Sequence, residues 1–109
     1  MNSKKPDLLQ GTLDVLVLKT LTPGPLHGYG IAQKILVTSR QVLEVQQGSL
    51  YPALHRMERK GLVTSEWRES ENGRMAKFYS LTKAGRKHLA DELAEWSRYA
   101  SAINWVLES

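Results

Sequence analysis

The sequence predicts a mainly α chain of the α+β type: a winged helix-turn-helix with a two-stranded β wing, closed by a long C-terminal helix. Three observations predict it. Three short stretches of helical apolar spacing come first, separated by turn residues. Two runs of strand character then flank the pair Asn72-Gly73. Finally, Leu89, Leu93, Trp96, Ala100, Ile103 and Leu107 recur at alternating steps of four and three, a heptad seam. Few small folds share this order, and a chain of 109 residues has room for one core only.

The first helix is expected from Asp7 to Leu21, with Leu9, Leu13, Leu16, Val17 and Thr20 on one stripe. Thr22-Pro23-Gly24-Pro25 ends it, because two prolines and a glycine cannot continue a helix. The second helix is expected from Gly28 to Ser39, with Tyr29, Ala32, Ile35 and Leu36 as its apolar face. The weak alternation from Val42 to Val45 suggests a short strand. The third helix is expected from Gly48 to Lys60. Leu50, Ala53, Leu54 and Met57 fall in one narrow arc, Pro52 is placed in the first turn, and Gly61 follows as a left-handed terminator. Leu62 to Trp67 and Arg74 to Leu81 read as the strands of a hairpin. Between them Asn72-Gly73 is a strong turn signal, since both residues tolerate positive φ. Phe78 and Tyr79 point to opposite faces, Phe78 toward the core and Tyr79 under the last helix. Thr82 then caps a helix running from Lys83 to Leu107. This divides the chain into a winged helix-turn-helix over residues 1–81 and a dimerisation helix over 82–109, within one compact unit.

Composition narrows the function classes. The absence of cysteine excludes disulfide staples and thiolate metal sites. Met1 to Asp7 has no signal-peptide core, and the longest apolar-rich run, Leu13 to Leu21, is interrupted by Asp14, Lys19 and Thr20. A soluble bacterial protein of the cytoplasm is the expectation. His27, His55 and His88 lie on three separate elements without metal-ligand spacing, so no metal and no cofactor is expected. His27 reads as a turn or helix-start residue. No catalytic triad, carboxylate pair or glycine-rich phosphate loop is present, so the chain does not read as an enzyme. The formal net charge of +4 favours a polyanionic partner.

The third helix is the candidate for that contact. Opposite its apolar arc stand Ser49, Tyr51, Pro52, His55, Arg56 and Arg59. A helix in the major groove presents its N-terminal residues to the bases, which places Ser49, Tyr51 and Pro52 nearest the base pairs and Arg56 and Arg59 nearer the phosphates. Arg74 and Lys77 on the wing can reach the minor groove or its flanks, while Glu69 and Glu71 oppose them locally. The same residues taken singly also suit a solvated helix face. The heptad seam requires a partner, either the first helix or a second copy. The expected interface comprises Leu9, Leu13, Leu89, Leu93, Trp96, Ala100, Ile103 and Leu107. Trp96 and Tyr99 are read as dimer core or as the walls of a pocket for a flat aromatic ligand between subunits.

Several runs resemble those of PadR-like transcriptional regulators. They are Leu8-Leu9-Gln10-Gly11-Thr12-Leu13-Asp14, His27-Gly28-Tyr29-Gly30-Ile31, and Gly48-Ser49-Leu50-Tyr51-Pro52-Ala53-Leu54 with Glu58, Arg59, Gly61 and Leu62. Ser65-Glu66-Trp67, then Asn72, Arg74, Ala76, Lys77, Tyr79 and Leu81-Thr82, and finally Ala84-Gly85-Arg86 are similar as well. The resemblance spans Leu8 to Trp96 and points to the short branch of the family. It implies a winged-helix domain that binds double-stranded DNA, a C-terminal dimerisation helix and repression of nearby genes. Ser49, Tyr51, Pro52, Arg74 and Lys77 match positions used on DNA, and Tyr29 matches one that can touch the DNA backbone. Met75 stands where another basic residue is expected. Founding members respond to phenolic acids and some relatives bind flat drugs, which makes a small aromatic effector a hypothesis to test. The alternative reading is a winged-helix adaptor that uses the same surface for a protein; the basic helix face argues against it and the acidic turn for it.

Overall fold

A computed structural model describes residues 10–109. The elements are α1 (Gln10–Thr20), β1 (Leu26–His27), α2 (Gly28–Thr38), α3 (Gln47–Arg59), β2 (Val63–Glu69), β3 (Met75–Leu81) and α4 (Lys83–Glu108). Leu9, and the expected start of the first helix at Asp7, lie outside the described residues.

The core forms where α1 packs against α2, α3 and α4. Leu13, Val17 and Leu18 of α1, with Leu21 just after it, meet Ile31 and Ile35 of α2, the whole apolar arc of α3, and Val63, Tyr79 and Leu89. At about 25 cal/mol per Å2 of apolar surface removed from water, a fully buried leucine such as Leu54 contributes about 2 kcal/mol. Leu13 and Leu89, expected between copies, are only 3% and 5% exposed. They are spent inside the chain itself, because α4 folds its first turns back onto α1.

The sheet has three strands, in the order β1-β3-β2, where two were expected. β2 and β3 pair antiparallel from Val63↔Leu81 to Glu69↔Met75, and β1 adds Leu26↔Tyr79 and His27↔Phe78 on the other edge. A two-residue strand leaves no alternation to read, so β1 is invisible to sequence periodicity. The turn also differs from expectation. Of its Asn-Gly pair only Gly73 is left-handed, at φ +83°. The Gly73 amide donates to the Ser70 carbonyl and the Ser70 amide to the Arg74 carbonyl, which is a four-residue turn with a glycine bulge. The pleat sends Tyr79 into the core against α3, not under the last helix. It leaves Phe78 half-buried on the outer face, edge-on to His27 and beneath the Arg68 guanidinium.

The expected strand at Val42 to Val45 is a loop. Its alternation is real, since Leu43 and Val45 pack on the core while Val42 and Glu44 are exposed, but it pairs with no strand of the sheet. Arg40 and Gln41 ahead of it are both left-handed, at φ 57° and 69°, a region L-residues rarely occupy. The turn is held there because the Gln41 amide reaches back to the Leu36 carbonyl and the Leu43 amide donates to Ser39 Oγ. Thr82 caps α4 by accepting from the Gly85 amide, and its hydroxyl donates to the Gly61 carbonyl. A side chain at Gly85 would collide with the Leu62 backbone, so α4 leaves the body at a fixed angle.

Candidate nucleic-acid interface

The surface expected to meet DNA is built around α3, which is pinned to each of its three neighbours at a different point. The first pin is at α2. His27 caps that helix, its Nδ1 accepting from the Gly30 amide at 3.0 Å, which gives it the helix-start role expected. Its Nε2 lies 3.6 Å from Glu71 of the hairpin turn. Tyr29 projects outward, 61% exposed, its hydroxyl accepting from Gln33 Nε2. Between them, Gly28 receives the edge of the Tyr51 ring.

The second pin is Arg56. Expected near phosphates, it turns inward: its Nη2 donates to Asp14 Oδ1 at 2.6 Å, with both side chains about four-fifths covered. Its Nε is buried without a partner. The reason is position on the helix wheel. Arg56 flanks Met57 on the side facing α1, where a carboxylate waits one turn beyond the start of that helix. A charge-assisted hydrogen bond of this kind contributes about 1.5–3 kcal/mol and commits the guanidinium to the fold.

The third pin is Glu58, which accepts from Ser65 Oγ at 2.7 Å and lies 3.9 Å from Lys77 Nζ. It sets the angle between α3 and the wing. Burial, then the charges of Glu58 and Tyr51, raise the Tyr79 phenol above its ordinary pKa of 10.0.

The outer face of α3 then presents Tyr51, Pro52, His55 and Arg59 to solvent, with Ser49 half-buried at its N-terminal end. Pro52 is the sixth helical residue, not part of the first turn, because the helix begins at Gln47. It therefore cannot donate to the Gly48 carbonyl four residues back. A cleft of 640 Å3 separates α3 from the wing, lined by Tyr29, Tyr51, His55, Trp67, Arg74 and Lys77 among others. Five of the expected DNA-binding residues thus converge. Ser49, Pro52, Arg56 and Arg59 lie outside the cleft.

Trp67 was not among the expected residues. It is 66% exposed and stands opposite Lys77 in the register, on the face of the wing that looks toward α3. Counting by twos from buried Val63 would have found it.

A second concavity, of 430 Å3, runs between α1 and α4 and is lined chiefly by Val15, Leu16, Leu43, Leu93 and Trp96. Trp96 thus lines a groove within one chain, whereas the expected pocket lay between subunits. Tyr99, 67% exposed, is not part of the lining. Beyond Leu89 the described residues leave most of the heptad seam open: Leu93, Trp96, Ile103 and Leu107 are all exposed. No helix among the described residues is long and apolar enough to cross a membrane.

Comparison with known proteins bears on this geometry directly. Residues 17–91 match the family described as transcriptional regulator PadR-like. The chain belongs to this family. PadR-like proteins are winged-helix DNA-binding regulators of transcription, and the matched residues run from the middle of α1 into α4. A transcriptional regulator of Mycobacterium tuberculosis is 37% identical over 76 residues, which cover 70% of this chain and 67% of the relative. Among solved structures, a PadR-like transcription factor of Bacteroides fragilis is 33% identical with a TM-score of 0.72, covering 89% of this chain and 91% of its own. The protein smu.1704 of Streptococcus mutans is 28% identical with a TM-score of 0.82, covering 97% and 95%.

Proposed function

We propose that the chain acts as a homodimeric repressor that sets α3 of each copy in the major groove of a palindromic operator. The observation that carries this reading is the cleft between α3 and the wing, where Tyr29, Tyr51, His55, Arg74 and Lys77 come together. In this reading Tyr51, with Ser49 and Pro52 beside it, addresses base edges. Tyr29, His55, Arg59 and the wing cations address the backbone. Arg56 is left out, because Asp14 occupies it.

The exposed seam of Leu93, Trp96, Ile103 and Leu107 supports pairing of α4 with a second copy. A two-fold dimer reads half-sites about 10 bp apart. The groove beside Trp96 supports a further part of the proposal, release from DNA by a small planar aromatic compound.

One titration tests the whole. Anisotropy of a labelled duplex from the chain's own upstream region is followed against a scrambled duplex across a salt series. Tighter, two-fold symmetric binding to the native duplex at physiological salt is expected. Planar aromatics should then release the duplex while quenching Trp96. Equal binding to both duplexes would sink the operator reading, and no binding from a folded dimer would favour a protein partner for the same cleft.

A further inference from the structure

We propose that Gly28 is a positioning residue for DNA recognition, holding the ring of Tyr51 in the orientation in which it meets the operator. The inference rests on the proposed role of Tyr51 and adds the element that aims it.

The contact is close and specific. A Cβ placed on Gly28 would lie 2.5 Å from Tyr51 Oη, 2.8 Å from Cζ and 2.9 Å from Cε1. All three neighbours are atoms of one ring, and all are nearer than real Cβ contacts allow. Gly28 is buried at the first position of α2, with ordinary negative φ, so its backbone does not require glycine. The space does. The ring it receives is that of Tyr51, the one tyrosine of α3, 38% exposed, with one edge seated and the rest facing the cleft. The seat itself is rigid. His27 caps the helix directly before Gly28, and β1 ties His27 to Phe78 of β3.

Chemistry separates this role from a merely structural one. A methyl group at Gly28 meets the far end of a side chain, not backbone. The cheapest response is for the Tyr51 ring to swing away on its χ angles while α2 and α3 stay where they are. The loss should therefore fall on recognition and spare folding. Gly24 provides the control, since a Cβ there meets nothing within 4 Å.

The test is a double-mutant cycle on operator affinity, with thermal unfolding read alongside. Gly28→Ala is expected to weaken operator binding about tenfold, within the range for loss of one good base contact, and to leave the melting temperature near that of Gly24→Ala. In the Tyr51→Ala background the same Gly28→Ala change should have no further effect. An equal loss in both backgrounds would overturn the proposal, because Gly28 would then act without Tyr51. So would unchanged affinity for Gly28→Ala where Tyr51→Ala is weakened. If Tyr51→Ala itself leaves affinity untouched, the proposed role of Tyr51 fails first and the positioning role fails with it. The 19F signal of fluorotyrosine at Tyr51 then reports whether Gly28→Ala still moves the ring.

Discussion

α3 and α4 both carry a clean apolar stripe, and the chain treats the two in opposite ways. Leu50, Ala53, Leu54 and Met57 of α3 are at most 1% exposed. On α4 only Leu89 is buried among the seam residues, and Ile103 and Leu107 are 55% and 76% exposed. The difference is one of reach. α3 lies across the body between α1 and the wing, so every turn finds a neighbour. α4 has 26 residues, about 39 Å of helix, and outruns a body whose own elements are half that length. A periodic stripe predicts that a face will be covered; it does not say by which chain.

That contrast can be broken most sharply by truncating one residue on each stripe. Leu54→Ala should cost about 2–5 kcal/mol in urea unfolding, independent of protein concentration, because it opens a cavity in a closed core. Ile103→Ala should cost stability only at concentrations where a dimer is populated, and should shift the monomer–dimer equilibrium in sedimentation. A concentration-independent loss at Ile103 would mean that α4 is covered by its own chain.

A smaller effect is expected on α3's flank. Asp14→Asn should cost about 2 kcal/mol by leaving the Arg56 guanidinium covered and unpaired. Arg56→Gln should leave the salt slope of DNA binding unchanged. A slope lower by about 0.9 would instead place Arg56 on a phosphate.

The smallest effect lies where the wing joins α3. Tyr79 holds its proton more tightly when folded than when unfolded. Above pH 10 the unfolded chain releases that proton first, so stability falls as pH rises through this range. Tyr79→Phe should flatten the fall between pH 9 and 11, read as the difference in urea midpoint between the two proteins.

Much of this could be read from the residues in order. Periodicities of 3.6 and 2 locate the helices and the hairpin, and Thr82, Gly61 and Gly73 mark boundaries because capping and left-handed turns are local chemistry. The outward face of α3 follows from its inward one, so Tyr51 and His55 were legible, as were the wing cations Arg74 and Lys77. Trp67 was equally legible by alternation along β2.

What needed three dimensions was every choice among partners distant in sequence. Arg56 looks like its exposed neighbour Arg59 until α1 brings Asp14, 42 positions earlier, within 2.6 Å. Gly28 looks like a helix-start glycine until the Tyr51 ring fills the space where its side chain would be. Leu13 and Leu89 share a pattern with Ile103, and only packing divides them between core and surface. Local sequence sets backbone preference and which face of an element is apolar, since both depend on a few neighbouring residues. Which face meets which is a matter of close packing across the whole chain, and no short window contains it.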